Sequence, residues 1–110
     1  MERAYELMII LEGESDDATV DGILARVGEF VTAGNGKIHS TDKWGKRRFA
    51  YEINKKWEGV YVVLEIVTEA PNLHDAERML RIADEVVRHK LIRLPDGEAA
   101  KRGLLAGASA

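Results

Sequence analysis

Cysteine is absent from all 110 residues, which excludes disulfide staples and thiolate metal sites and fits a reducing compartment. Long apolar runs are also missing. The longest, Leu7 to Leu11 and Val60 to Leu64, fall far short of the roughly 20 residues that span a bilayer, so no membrane segment is expected. The opening Met-Glu-Arg-Ala-Tyr-Glu has neither a basic nor an apolar leader region, so no signal peptide is expected. No internal repeat of fixed period is present. Net positive charge is lacking too: the formal sum is −3. What is present is a chain of one-domain length, 45% hydrophobic, which argues against wholesale disorder and allows one real core.

Residues 3 to 11 are short, apolar and stopped by Glu12-Gly13, and predict a buried strand. Glu-Ser-Asp-Asp then supplies an N-cap and first-turn acids. Val20, Ile23, Leu24, Val27, Phe30 and Val31 recur at helical spacing, and Gly34-Asn35-Gly36 ends that helix by tolerating positive φ. Residues 37 to 54 predict a long strand with a bend or bulge at Gly45. Asn54 to Gly59 predicts a hairpin loop, and Val60 to Thr68 the return strand. Asn72 is the expected N-cap of a second helix with the stripe Leu73, Ala76, Met79, Leu80 and Ala83. Val86 to Leu94 predicts a last strand, stopped by Pro95-Asp96-Gly97. The Ala/Gly-rich remainder predicts an extended or disordered tail over 95–110.

The order is β-α-β-β-α-β, so the expected class is α+β, a ferredoxin-like fold with two helices on one face of a four-stranded antiparallel sheet over 1–94. The other face is left open. Strand parity puts Tyr5, Leu7, Ile9 and Leu11 on the helix side together with Val62, Leu64 and Ile66. The open face then carries Met8, Ile10, Tyr61 and Val63 beside Arg88 and Lys90, an apolar patch rimmed with base.

Catalytic chemistry finds no support in these residues. His39, Ser40 and Asp42 resemble a triad in print, but on a strand His39 points away from the other two. The three histidines, His39, His74 and His89, share no ligand spacing, so neither a metal nor a cofactor is expected. Gly34-Asn35-Gly36 follows a helix where a phosphate loop must precede one. The loop after the first strand, Glu12 to Asp17, is acidic and would repel phosphate. Neither an enzyme nor a small-molecule substrate is expected.

The charge sum hides a strong segregation. Residues 1–36 carry net −6, residues 37–56 net +5, residues 57–87 net −5, and residues 88–110 net +3. Base is therefore concentrated in the long hairpin and the C-terminal end. Lys43-Trp-Gly-Lys-Arg-Arg-Phe-Ala-Tyr51 interleaves base with aromatic rings, which suits phosphate forks and ring stacking. The same residues also suit an edge strand kept soluble by charge. Gly59 to Val67 lacks the pattern of a sheet that stacks single-stranded bases, so shape and backbone recognition of a folded RNA fits better.

Trp44-Gly-Lys-Arg-Arg-Phe-Ala-Tyr-Glu-Ile-Asn54 resembles the signature of the S six family of bacterial small-subunit ribosomal proteins: Gly, a basic pair, Leu, then Ala-Tyr-x-Ile. Arg3-Ala-Tyr5-Glu resembles the family's opening, with Ala4 between Arg3 and Tyr5. Gly59-Val-Tyr61 and Arg88-His-Lys90 fall at its third and fourth strands. Phe49 stands where the family has Leu, and Glu98 to Ala110 matches none of its pattern. The resemblance implies a non-enzymatic, cytoplasmic protein of the small ribosomal subunit. Such a protein binds the central domain of small-subunit ribosomal RNA as a heterodimer with the S eighteen ribosomal protein. It implies RNA contacts at Arg3, Tyr5, Arg47, Arg48, Tyr51 and Arg88, with Lys90 added from the basic rim. Ile10, Tyr61, Val63 and the tail are the expected partner surface. A ferredoxin-like interaction or regulatory module acting without RNA is the alternative.

Overall fold

The chain alternates elements as β1 (Arg3–Glu12), α1 (Asp17–Ala33), β2 (Lys37–Ile53), β3 (Lys56–Thr68), α2 (His74–Ile82), β4 (Val86–Arg93) and α3 (Asp96–Lys101). The structure, a computed structural model, describes residues 2–53, 55–69 and 73–104. All strands join one antiparallel sheet in the order β2-β3-β1-β4. Each long connection, α1 and α2, therefore passes over one strand, the expected ferredoxin-like arrangement.

The core forms where the expected apolar stripes meet. Tyr5, Leu7, Ile9 and Leu11 of β1 and Val62, Leu64 and Ile66 of β3 pack against Val20, Ile23, Val27 and Val31 of α1 and Met79 and Leu80 of α2. Parity is thus as the residue pattern predicted. Helix α1 starts at Asp16, whose carboxylate accepts the Thr19 N–H at 2.8 Å, and that bond lowers the Asp16 pKa. It ends in a Schellman turn. Gly36 N–H donates to Val31 O and Asn35 N–H to Thr32 O, with Asn35 at φ 61°. The positive φ thus falls on the asparagine between the glycines.

Two elements differ from expectation. The loop expected over 54–59 is short, since Ile53 already pairs with Lys56 and Lys55 takes a positive φ of 64°. Lys56 to Glu58 is strand because cross-strand partners hold it: Arg48 lies opposite Glu58, its Cζ is 5.9 Å from the Trp57 ring centroid, and Lys46 Nζ is 3.8 Å from Glu58. Where composition predicted an extended tail from Pro95, residues 96–101 form α3. Its Ala99, with Leu104, packs on Ala4, Val67 and Leu94. The tail has too little apolar mass to pack alone, but the open face of the sheet supplies the rest. Residues 105–110, and the expected N-cap Asn72, lie outside the described residues.

Candidate nucleic-acid interface

The open face reads as a series of cross-strand rows. From one end they run Ala4–Val67, then Ile92–Glu6–Glu65–Ser40, Lys90–Met8–Val63–Asp42, Arg88–Ile10–Tyr61–Gly45, and Glu12–Gly59–Arg47. Of three register shifts in β2, the two after Ser40 decide what covers these rows. At the first, between Lys43 and Gly45, the register shifts and Gly45 takes φ 81°, a conformation that favours glycine. Trp44 then lies parallel to Tyr61, ring centroids 6.1 Å apart, and its Nε1 donates to Asp42 at 2.9 Å. At the second, residues 49–52 have no ladder partners while β3 advances only from Glu58 to Lys56. This excursion brings Phe49 across the face onto Gly59 and Ile10, with its ring edge against Tyr61 at 6.2 Å. A Cβ at Gly59 would stand 2.6 Å from Ile10 and 2.8 Å from Phe49, so only glycine leaves room.

The result is a groove of about 620 Å³ at the β4 side of the excursion. Its floor is Met8 and Ile10, one wall is Phe49, Tyr51 and Tyr61, and Arg88 and Lys90 line it together with Arg48, whose guanidinium stands over Trp57. Tyr51 is the most open ring, at 64% exposure. Trp44, Arg47 and Tyr61 line a second hollow on the other side of Tyr61.

Charge on this face is unevenly satisfied. Each carboxylate in the rows has a donor: Glu6 and Glu65 share Arg102, Asp42 takes Trp44, and Glu12 lies 3.6 Å from Lys56. Glu65 also accepts the Ser40 hydroxyl at 2.6 Å, and that bond, aided by Arg102, lowers its pKa. Arg47, Arg88 and Lys90, by contrast, have no carboxylate partner among the described residues. The face therefore offers uncompensated positive charge beside an aromatic wall, a composition that suits phosphate and exposed bases.

A family model described as Ribosomal protein S6 matches residues 4–93. The chain belongs to the ribosomal protein S6 family. Small ribosomal subunit protein bS6 of Carboxydothermus hydrogenoformans is 44% identical over 93 residues, covering 84% of this chain and 97% of that protein. The bS6 protein of Corynebacterium glutamicum is 44% identical over 92 residues, covering 84% and 97%. Among solved structures, 30S ribosomal protein S6 from Thermotoga maritima matches with a TM-score of 0.82 at 32% identity, covering 94% of this chain and 97% of that one. The relatives are structural ribosomal proteins and not enzymes, and this S6-family chain is accordingly a ribosomal protein of the small subunit.

Within that family frame the site residues expected from sequence are only partly brought together. Arg48, Tyr51, Arg88 and Lys90 converge on the groove, and Arg47 stands beside it. Arg3 is at the far end of β1, its guanidinium 3.7 Å from Asp96. Tyr5, expected at the RNA, is 6% exposed and packed in the helix-side core, so it offers no ring to a base. Ile10 and Val63, expected at a partner surface, are 7% and 9% exposed, because Phe49 folds over the first and Trp44 and Arg102 line the hollow above the second. Tyr61 is half-buried between Trp44 and Phe49. Sequence reasoning missed Trp44, Phe49 and Arg102 as shapers of the face. Gly45, Gly59 and Gly103 were the available signals.

Other groups have structural work. His89 Nε2 lies 3.1 Å from Glu77, tying β4 to α2, and Lys43 pairs with Asp21, tying β2 to α1. The Ser40 hydroxyl is committed to Glu65. Among the described residues no group of three or more His, Asp or Glu is placed to hold a metal ion, and no helix is long and apolar enough to cross a membrane.

Proposed function

We propose that this S6-family chain binds the central domain of small-subunit ribosomal RNA through the groove on its open face, as a heterodimer with the S eighteen ribosomal protein. It would do so where bacterial small subunits assemble, in the cytoplasm. The observation that supports the RNA contact is the unpaired cation set Arg47, Arg88 and Lys90 beside Arg48 and Tyr51, on a face where every row carboxylate is already occupied. Guanidinium forks take phosphate oxygens bidentately, and Tyr51 is open enough to stack on a base. Arg3 belongs to this reading only as an end contact, since Asp96 already shares its charge. The partner's place in the reading rests on the resemblance, with Ile10, Tyr61 and Val63 as the underlying floor of the covered face.

The test is co-sedimentation of the purified chain with small ribosomal subunits, followed by reconstitution onto naked ribosomal RNA with and without the S eighteen protein. Entry into the particle, with RNA affinity raised by the partner, is the expected result. Failure to enter would contradict the reading. Binding to the partner alone, indifferent to RNA and to Arg88→Ala, would favour a protein-interaction module.

A further inference from the structure

The second row of the open face sets two carboxylates directly opposite each other: Glu6 of β1 faces Glu65 of β3. Like charges in that position repel across an antiparallel pair. They also lie one open-face step from Met8 and Lys90, about 7 Å along the strand, well inside the ~10 Å screening length of 0.1 M salt. Left alone, this acidic row would oppose any polyanion laid across the sheet toward the groove. Arg102 cancels one of its two charges. Its Nη1 donates to Glu6 and to Glu65, each at 3.0 Å, and its Nε donates to Glu98 at 2.9 Å.

Arg102 reaches this place because α3 ends there. Gly103 at φ 76° closes a Schellman turn in which Leu104 N–H donates to Ala99 O and Gly103 N–H to Ala100 O. That turn sets Leu104 against Ala99, and both against Ala4, Val67 and Leu94. The guanidinium is thus held over the sheet by a helix that has its own apolar footing. It is oriented by three carboxylates, which keep it firmly charged.

We propose that Arg102 is a positioning residue for RNA: seated between Glu6 and Glu65, it cancels one of the two charges of the acidic row beside the basic groove and so eases the approach of a phosphate backbone it does not itself touch. This rests on the RNA reading above. Losing the single positive charge of Arg102 at about 7 Å weakens phosphate binding by about 1.5-fold to threefold at low ionic strength.

The experiment measures affinity for a labelled transcript of the central domain of small-subunit ribosomal RNA, with the full chain and its variants, alongside thermal unfolding of each. Arg102→Ala is expected to bind about twofold more weakly at low ionic strength. Its slope of log affinity against log salt is expected to stay unchanged, because no phosphate contact is lost. Adding Glu6→Gln and Glu65→Gln to Arg102→Ala is expected to restore affinity, which a merely structural role for Arg102 would not do. Glu6→Gln with Glu65→Gln in the presence of Arg102 should bind at least as tightly as the unaltered chain. Unchanged affinity in Arg102→Ala overturns the inference, as does failure of the folded triple variant to recover. If the unaltered chain shows no salt-dependent RNA affinity, the proposed function itself fails, and this role with it.

Discussion

Gly59 shows how one missing side chain shapes the face. It lies in the row that Phe49 must cross, and the Leu11 carbonyl oxygen is only 3.0 Å from where its Cβ would be. Gly59→Ala is expected to cost about 1–3 kcal/mol, since a backbone atom cannot move aside as a side chain can. Urea unfolding with an unchanged slope would measure it. Ser40 tests the acidic row. Its hydroxyl is the main reason the Glu65 carboxyl titrates low. A depressed native pKa adds stability above the ordinary carboxylate range, and that stability is lost as pH falls through the lowered value. Ser40→Ala should therefore raise the Glu65 pKa, followed by carboxyl-carbon NMR, lower stability near neutral pH, and shrink the stability lost on acidification. Tyr5 shows two residue-level signals in conflict. Resemblance placed it at RNA, whereas its alternation with Leu7, Ile9 and Leu11 placed it in the core, and its burial follows the alternation.

At the scale of elements, regular periodicity was legible and irregular backbone was not. The stripes of α1 and α2 and the alternation of β1, β3 and β4 identified the core and the open face, because burial on one face imposes a period. The excursion at 49–52 left no such trace: an unpaired stretch has no period, and the glycine that leaves room for Phe49, Gly59, lies on the partner strand. Helix α3 escaped for a related reason. Its footing on Ala4, Val67 and Leu94 is supplied by other strands. Its local signals were nonetheless present: acids Asp96 and Glu98 in the first turn, Lys101 in the last, and Gly103-Leu104 beyond. Gly103→Ala forces an L side chain into positive φ and should destabilise the α3 turn by about 1 kcal/mol. Hydrogen exchange at the Leu104 amide should quicken while the amides of β1 and β3 keep their protection.

For the whole molecule, net charge misleads and arrangement informs. A total of −3 coexists with a face whose row carboxylates are each paired while Arg47, Arg88 and Lys90 have no carboxylate partner among the described residues. The +5 hairpin was legible in the sequence; its convergence with Arg88 and Lys90 on one groove required the β2 excursion. Such a molecule should not adhere to nucleic acid indiscriminately, since acid dominates elsewhere, yet it can hold one folded site. The most direct measurement is the salt dependence of affinity for the central-domain RNA, compared between the unaltered chain and Arg48→Ala/Arg88→Ala. If both guanidinium groups meet phosphate, the slope of log affinity against log salt falls by about two units and binding weakens at every salt. An identical slope in the folded double variant would contradict the placement of RNA in this groove.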